Sequence, residues 1–143
     1  MKRRHFVKNT TTLATVCLTT DIFTIGNRHF LNDKIRLGFI GVGARGLSTL
    51  ELALLRKDIL VTAICDIDPI TTAKALKAVA DAGQKTPQIY TDGPHAYKKL
   101  LEQKDVDAVF ICTPWEWHTP MSVDAMKAGK AVAAPYYIQA EHR

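Results

Sequence analysis

The sequence predicts an α/β fold in which helices cover both faces of a doubly wound parallel sheet. Apolar runs of strand length alternate with stretches of helical spacing, and a glycine-rich turn joins the first run to the first helix. Strands that alternate with helices build parallel sheets through right-handed crossovers. The 143 residues and 47% hydrophobic content suit one compact domain, expected at residues 34–134 between a leader at 1–33 and a tail at 135–143.

Apolar spacing predicts the first three elements. Residues 35–40 form an apolar run that stops at the glycine-rich turn, as a central parallel strand does before its helix. Leu47, Leu50 and Leu54 recur at helical spacing and predict an amphipathic helix. Residues 59–65 are β-rich and predict the second strand.

End signals define the second helix. Asp68 and Pro69 read as an N-cap and a first-turn proline, and Gly83 reads as the C-cap of a helix over about residues 69–82. A short third strand is expected at residues 89–90.

The rest of the domain continues the same alternation. Residues 95–103 can form a helix, and residues 106–112 form a fourth apolar strand. A last helix is expected from about Thr119 to Gly129, followed by a fifth strand at residues 131–134.

The glycine-rich turn GVGARG has the spacing of a dinucleotide-binding fingerprint. In such a turn, Gly41 permits the tight bend, Gly43 lets the backbone approach a pyrophosphate, and Gly46 lets the helix pack closely on the sheet. Backbone N–H groups at the start of the helix then bind phosphates. The alternative is a glycine-rich turn without a ligand. The candidate cofactor-binding residues of the turn are Gly41, Gly43, Ala44, Arg45 and Gly46.

An acidic residue follows the second strand, where Rossmann domains carry the carboxylate that binds ribose. Asp66 lies about 25 residues after Gly41. A carboxylate there accepts hydrogen bonds from ribose hydroxyls and repels a 2′-phosphate, so NAD is expected as the cofactor rather than NADP. NADP stays open as the alternative, because Arg45 beside the turn can pair with a phosphate. Asp68 is a competing candidate, although its place before Pro69 favours a helix cap.

A segment rich in aromatic residues follows the fourth strand, at the carboxyl edge where open α/β sheets bind ligands. Residues 113–118 read TPWEWH. In one interpretation they contact a cofactor or substrate, with His118 as a candidate acid/base catalyst. In the other, Trp115 and Trp117 cover the sheet edge and His118 caps the next helix.

Positive charge is concentrated near the amino terminus. The formal net charge is +5, and residues 1–36 hold seven Lys and Arg against two Asp. The remaining residues hold 12 basic and 12 acidic side chains. A neutral folded body offers no general footprint for phosphate backbones, so we expect no nucleic-acid partner.

The cysteines are few and widely spaced. Cys17, Cys65 and Cys112 include no metal-ligand pair, and we expect no metal site. Cys65 and Cys112 end the second and fourth strands. With the first strand between them they would lie about 9–10 Å apart, beyond disulfide reach, so we expect buried structural thiols.

The first residues resemble an export signal. Arg3, Arg4 and Phe6 precede a mildly apolar, Thr-rich stretch, as in twin-arginine signals. We therefore expect export to the periplasm by that route, the alternative being a frayed basic N-terminus on a cytoplasmic protein. The stretch is too short and too polar for a stable membrane span.

Several motifs together resemble the glucose-fructose oxidoreductase / inositol dehydrogenase (Gfo/Idh/MocA) family. They are the glycine turn, CDIDP at residues 65–69, DAVFICTP at residues 107–114 with His118, and AGK at residues 128–130. The resemblance covers about residues 34–134. It implies a Rossmann domain that binds NAD(P).

Within that family, the string PWEWH at residues 114–118 is similar to the NAD-dependent glycosidases of glycoside hydrolase family 109, typified by α-N-acetylgalactosaminidase. The resemblance implies pyrophosphate contacts from the three glycines of the turn and a ribose contact from Asp66. It also implies a nicotinamide side formed after the fourth strand. The candidate residues there are Thr113, Pro114, Trp117 and His118.

The resemblance implies a redox-assisted elimination, distinct from two-carboxylate glycoside hydrolysis. NAD would take hydride from sugar C3, the ketone would acidify the C2 proton, the aglycone would leave, and water addition and hydride return would complete the cycle. Such an enzyme needs no external cofactor pool, which agrees with export of a folded, loaded protein. A plain sugar or polyol dehydrogenase is the alternative.

The last residues depart from the family pattern. Family members continue from the fifth strand with a Glu-Lys-Pro or Glu-Val type motif and a long α/β substrate domain that supplies most catalytic groups. This chain reads APYYIQAEHR over residues 134–143. We therefore expect that the substrate domain is absent, that the chain alone has no turnover, and that an uncovered apolar face favours homo-oligomers. A truncated, non-catalytic nucleotide-binding remnant is the alternative.

Overall fold

Five parallel strands form one sheet in the order β3-β2-β1-β4-β5 in the computed structural model, which describes residues 34–134. The expectations for the leader and the tail lie outside the described residues. The predicted α/β parallel sheet is confirmed. The elements are β1 (Ile35–Ile40), α1 (Ala44–Leu54), β2 (Ile59–Cys65), α2 (Pro69–Asp81), β3 (Gln88–Tyr90), α3 (Tyr97–Leu101), β4 (Ala108–Ile111), α4 (Trp115–Lys127) and β5 (Ala131–Ala133).

The winding of the sheet reverses at β1. The chain moves from β1 outward through β2 to β3, then returns to the other side of β1 and moves outward through β4 to β5. A crevice forms at such a reversal, outside the carboxyl ends of the central strands. Strand order therefore places the ends of β1, β2 and β4 around one crevice.

The core has two halves because consecutive strand residues point to opposite faces of a sheet. Phe39 packs in the half beneath α1 and α2, where its ring stacks on Phe110 with the centroids 5.4 Å apart. Its neighbour Ile40 packs in the other half, beneath α3 and α4. Helices on both faces thus bury a central strand that is apolar on both sides. None of the helices in the described range is long and apolar enough to cross a membrane.

The ends of α2 match the predicted signals. The Asp68 carboxylate accepts a hydrogen bond from the Ile70 N–H at 2.8 Å and caps the helix. Gly83 adopts a left-handed φ of 70°, and the Gln84 N–H donates to the Val79 carbonyl at 3.2 Å, which closes the helix with a Schellman motif.

Two helices differ from the prediction. Helix α4 begins at Trp115 rather than near Thr119. The backbone N–H groups of a first turn need no helical partner. Pro120 comes after that turn, and its missing N–H leaves only the carbonyl of the exposed residue Glu116 without a helical hydrogen bond. Helix α3 covers only Tyr97–Leu101, since the residues before it form tighter turns in which the Ala96 N–H donates to the Gly93 carbonyl at 3.1 Å.

Candidate functional site

A cleft of about 320 Å³ opens at the carboxyl edge, where the winding of the sheet reverses. It is the position at which open α/β sheets bind ligands. Of the predicted site residues, six line it together: Gly41, Gly43, Asp66, Thr113, Pro114 and Trp117. Ala44, Arg45 and Gly46 follow in the first turn of α1, and His118 lies in the first turn of α4, beside the cleft.

The fold itself requires two of the three glycines. Gly41 has a φ of 85°, and a Cβ on it would lie 2.9 Å from the Cys112 carbonyl carbon. A Cβ on Gly46 would lie 2.1 Å from the Gly41 carbonyl oxygen. The close packing that we predicted between the helix and the sheet at Gly46 is therefore a contact between α1 and the glycine turn.

Gly43 has no such structural reason to be glycine. Its φ of −60° and ψ of −164° suit any residue, and an added Cβ would have no atom within 4 Å. It is the N-cap of α1 and lines the cleft. The space in front of Gly43 is thus left open by the fold, which fits a ligand that approaches the backbone closely.

The start of α1 points into this space. The first α-helical bond of α1 joins the Leu47 N–H to the Gly43 carbonyl at 2.8 Å, so the preceding amides of the turn have no α-helical partner. Exposed amides and the helix dipole together favour an anion. The turn can therefore hold a phosphate group without a lysine.

Arg45 adds a positive charge to the start of α1. Burial raises the pKa of Cys112, while a hydrogen bond with Thr49 and the positive charge of Arg45 oppose that rise. The first turn of α1, which contains Arg45, packs near Cys112, because a Cβ on the neighbouring Gly46 would lie 3.3 Å from the Cys112 Cβ. Cys112 directly follows β4. Asp66 follows β2, on the other side of β1.

Asp66 is bound to the backbone on both sides of its carboxylate. One oxygen, Oδ2, accepts a hydrogen bond from the Val42 N–H at 2.7 Å. The other, Oδ1, accepts one from the Asp68 N–H at 2.9 Å. The acid at the end of β2 therefore contacts the middle of the glycine turn directly, a contact that the sequence did not indicate.

The TPWEWH segment has three distinct environments. Trp115 is 84% exposed, whereas Trp117 lines the cleft and contacts the His95 ring edge-on with centroids 5.8 Å apart. His118 is only 7% exposed, and its Nε2 lies 2.7 Å from the Thr113 carbonyl oxygen. His118 is the fourth residue of α4 rather than a cap before it. Its ring is hydrogen-bonded to Thr113, the first residue of the segment.

Sequence reasoning missed part of the lining. The cleft is also lined by Gly93, Pro94, Ile67 and Met121. Gly93 and Pro94 come shortly after β3, so the rule that ligands bind at the carboxyl ends of strands was a signal for them. Ile67 directly follows Asp66 and had the same signal.

The two described cysteines are free thiols on either side of β1. Cys65 is buried, as predicted, whereas Cys112 is only partly buried and lines the cleft, so the prediction of burial was wrong there. Burial raises the pKa of Cys65 to about 12, with the Asp66 charge as a smaller cause. Both thiols are therefore protonated at neutral pH and are poor nucleophiles. Over residues 34–134, no group of three or more His, Cys, Asp and Glu side chains is placed to hold a metal ion.

Comparison with known proteins gives concordant matches. A family model described as an oxidoreductase family with an NAD-binding Rossmann fold matches residues 35–134. A "Glycosyl hydrolase family 109 protein" from Stenotrophomonas maltophilia is 43% identical over 136 residues, covering 92% of this chain but 29% of that protein. This chain thus spans under a third of that relative.

Two solved structures share the fold. Myo-inositol dehydrogenase from Lactobacillus casei, in complex with NAD(H) and myo-inositol, is 27% identical with a TM-score of 0.57. KijD10, a 3-ketoreductase from Actinomadura kijaniata solved with NADP and TDP-benzene, has the same identity and TM-score. The matches cover 71% of this chain and 28% and 29%, respectively, of those chains.

Proposed function

Because this chain belongs to the Gfo/Idh/MocA oxidoreductase family and forms its NAD(P)-binding Rossmann domain, we propose that the cleft binds NAD in preference to NADP. The observation that carries the proposal is the open space at Gly43 in front of the amides of α1. Of the three glycines in the turn, Gly43 is the one that packing leaves unexplained. A pyrophosphate close to the backbone explains it.

The cleft offers different chemistry to each part of a dinucleotide. The amides that begin α1 bind the pyrophosphate. Asp66 binds the adenosine ribose, and the adenine ring covers Ile67, which is exposed beside it. Thr113, Pro114 and Trp117 form the nicotinamide side.

Charge placement favours NAD. The ribose that carries a 2′-phosphate in NADP lies by Asp66, whose carboxylate repels a phosphate. Arg45, the basic residue of the turn, is the second residue of α1, at the helix start that we assign to the pyrophosphate. We therefore assign the charge of Arg45 to the pyrophosphate rather than to a 2′-phosphate.

We propose that the complete enzyme is a glycosidase that acts on α-N-acetylgalactosaminides by redox-assisted elimination. The relative named as a glycosyl hydrolase of family 109, 43% identical over 136 residues, supports a glycosidase. The substrate class is what the resemblance of the PWEWH string to that family implies. Bound NAD would supply a hydride acceptor and donor at the sugar. His118 is buried and held on the Thr113 carbonyl, so we infer that other residues supply the acid/base groups.

A sugar or polyol dehydrogenase is the second candidate, favoured by the structural match to myo-inositol dehydrogenase. Both candidates share the cofactor and differ in the fate of the glycosidic bond. We further propose that the twin-arginine motif exports the protein to the periplasm in a folded, loaded state.

Calorimetric titration with NAD and NADP tests the cofactor proposal. We expect NAD to bind at least about tenfold more tightly, which corresponds to about 1.4 kcal/mol. Circular dichroism first establishes that the sample is folded. A folded chain that binds neither nucleotide contradicts the assignment of the cleft, and equal affinities contradict the preference for NAD.

A further inference from the structure

The Asp66 carboxylate connects the end of β2 to the glycine turn. Its Oδ2 accepts a hydrogen bond from the Val42 N–H at 2.7 Å, and its Oδ1 accepts one from the Asp68 N–H at 2.9 Å. We propose that Asp66, besides binding ribose, is a positioning residue that holds the phosphate-binding turn in its binding conformation. This inference rests on the proposed nucleotide function of the cleft.

The turn is held at three points, and Asp66 supplies the middle one. At the start, the Gly41 N–H donates to the Cys65 carbonyl at 2.8 Å. At the end, the Gly43 carbonyl accepts from the Leu47 N–H at 2.8 Å. Between them, Val42 has a fully buried side chain and an amide bound to a charged acceptor. A hydrogen bond to a carboxylate is roughly twice as strong as a neutral one.

The two roles of Asp66 are compatible. An ionised carboxylate has about four lone-pair sites. The bonds to the Val42 and Asp68 amides use two of them. About two remain for the ribose hydroxyls, so a bound nucleotide need not break the contact with the turn.

The positioning role makes a prediction opposite in sign to simple electrostatics. A carboxylate near a phosphate repels it, so loss of the charge alone should tighten the binding of an anion. If Asp66 holds the turn, its neutralisation should weaken phosphate binding instead. The effect should persist with a ligand that has no ribose hydroxyls, where the ribose contact contributes nothing.

ADP and 2′,3′-dideoxy-ADP separate the two roles. We expect Asp66→Asn to weaken both ligands by about tenfold or more, because an amide side chain has one acceptor oxygen for the two backbone N–H groups. The matched control is Asp68→Asn, which removes the same charge two residues away. Asn is an equally good N-cap for α2, so this variant should bind both ligands within about twofold of the unmodified chain.

The possible results discriminate between the proposals. Unchanged or tighter binding of dideoxy-ADP by a folded Asp66→Asn variant overturns the positioning role. If the unmodified chain is folded but binds neither NAD nor ADP, the proposed function fails instead. Should Asp66→Asn not fold, Asp66→Glu decides the question. It keeps the charge but moves the acceptor by one methylene, so we expect a several-fold loss for dideoxy-ADP, and full retention refutes the inference.

Discussion

The contrast between Gly43 and Gly46 gives the sharpest test of the cofactor site, because one substitution should act on binding and the same substitution three residues later should act on stability. An added Cβ meets nothing within 4 Å at Gly43 but lies 2.1 Å from the Gly41 carbonyl oxygen at Gly46. Gly43→Ser and Gly46→Ser are therefore matched variants of one turn.

Stability should respond only at Gly46. At the N-cap position, Ser is as good as or slightly better than Gly, so Gly43→Ser should leave the free energy of unfolding unchanged or raise it by a few tenths of a kcal/mol. At Gly46 the backbone oxygen cannot move without the turn. Overpacking typically costs about 1–3 kcal/mol, of which helix propensity returns about 0.5 kcal/mol. For a domain of this size, a net loss of about 1–2 kcal/mol lowers the Tm by about 4–16 °C.

Nucleotide binding should respond at Gly43. The serine side chain would occupy the space that we assign to the pyrophosphate, and we expect NAD affinity to fall by at least about tenfold, or about 1.4 kcal/mol. Thermal melts followed by circular dichroism measure stability, and calorimetry measures affinity. A stable Gly43→Ser variant that binds NAD as tightly as the unmodified chain would refute the reasoning, as would a large drop in its Tm.

Three further outcomes are expected. The purified chain with NAD should show no sustained release of aglycone from α-N-acetylgalactosaminides and no accumulation of NADH with polyols, because His118, the candidate acid/base catalyst, is buried against the Thr113 carbonyl; multiple turnovers would contradict this. Replacing Arg3 and Arg4 with lysine should abolish recovery of the protein from the periplasm, and unchanged recovery after cell fractionation would count against the export proposal. The free energy of unfolding should fall as the pH rises from about 9 to about 12, because the folded state keeps the Cys65 proton up to a pKa of about 12 while the unfolded chain loses it near its ordinary value of 9.0. Denaturant titrations of Cys65→Ala, in which this part of the slope should disappear, check the assignment.

Local patterns were sufficient for much of the fold. Two of these patterns consist of consecutive residues: the apolar run before Gly41, and the pair of Asp68 and Pro69 that caps a helix. They were therefore enough to locate β1 and the start of α2. The prediction of α4 was wrong by four residues at its start, which lies at Trp115 rather than near Thr119. In the structure Pro120 lies inside α4, where its missing N–H leaves only the carbonyl of the exposed residue Glu116 without a helical partner.

For the candidate site, the sequence indicated which segments meet but not what each residue does there. Parallel strands bring their carboxyl ends to one edge, so the ends of β1, β2 and β4 were predictable neighbours. Gly93 and Pro94 share that edge and were missed, since the short β3 gave a weak signal. The cofactor roles of these residues stay predictions.

The sequence by itself determined the class of fold, the family and the position of the glycine turn, because these depend on periodicity and on residue types at short spacing. Only the tertiary structure showed that packing requires a glycine at position 46 and does not require one at position 43. It also decided that Asp66 holds Val42 and that the His118 ring is buried against a backbone carbonyl. The physical reason is that steric contact and hydrogen bonding depend on distances of a few tenths of an ångström. Most of these distances join segments that are far apart along the chain.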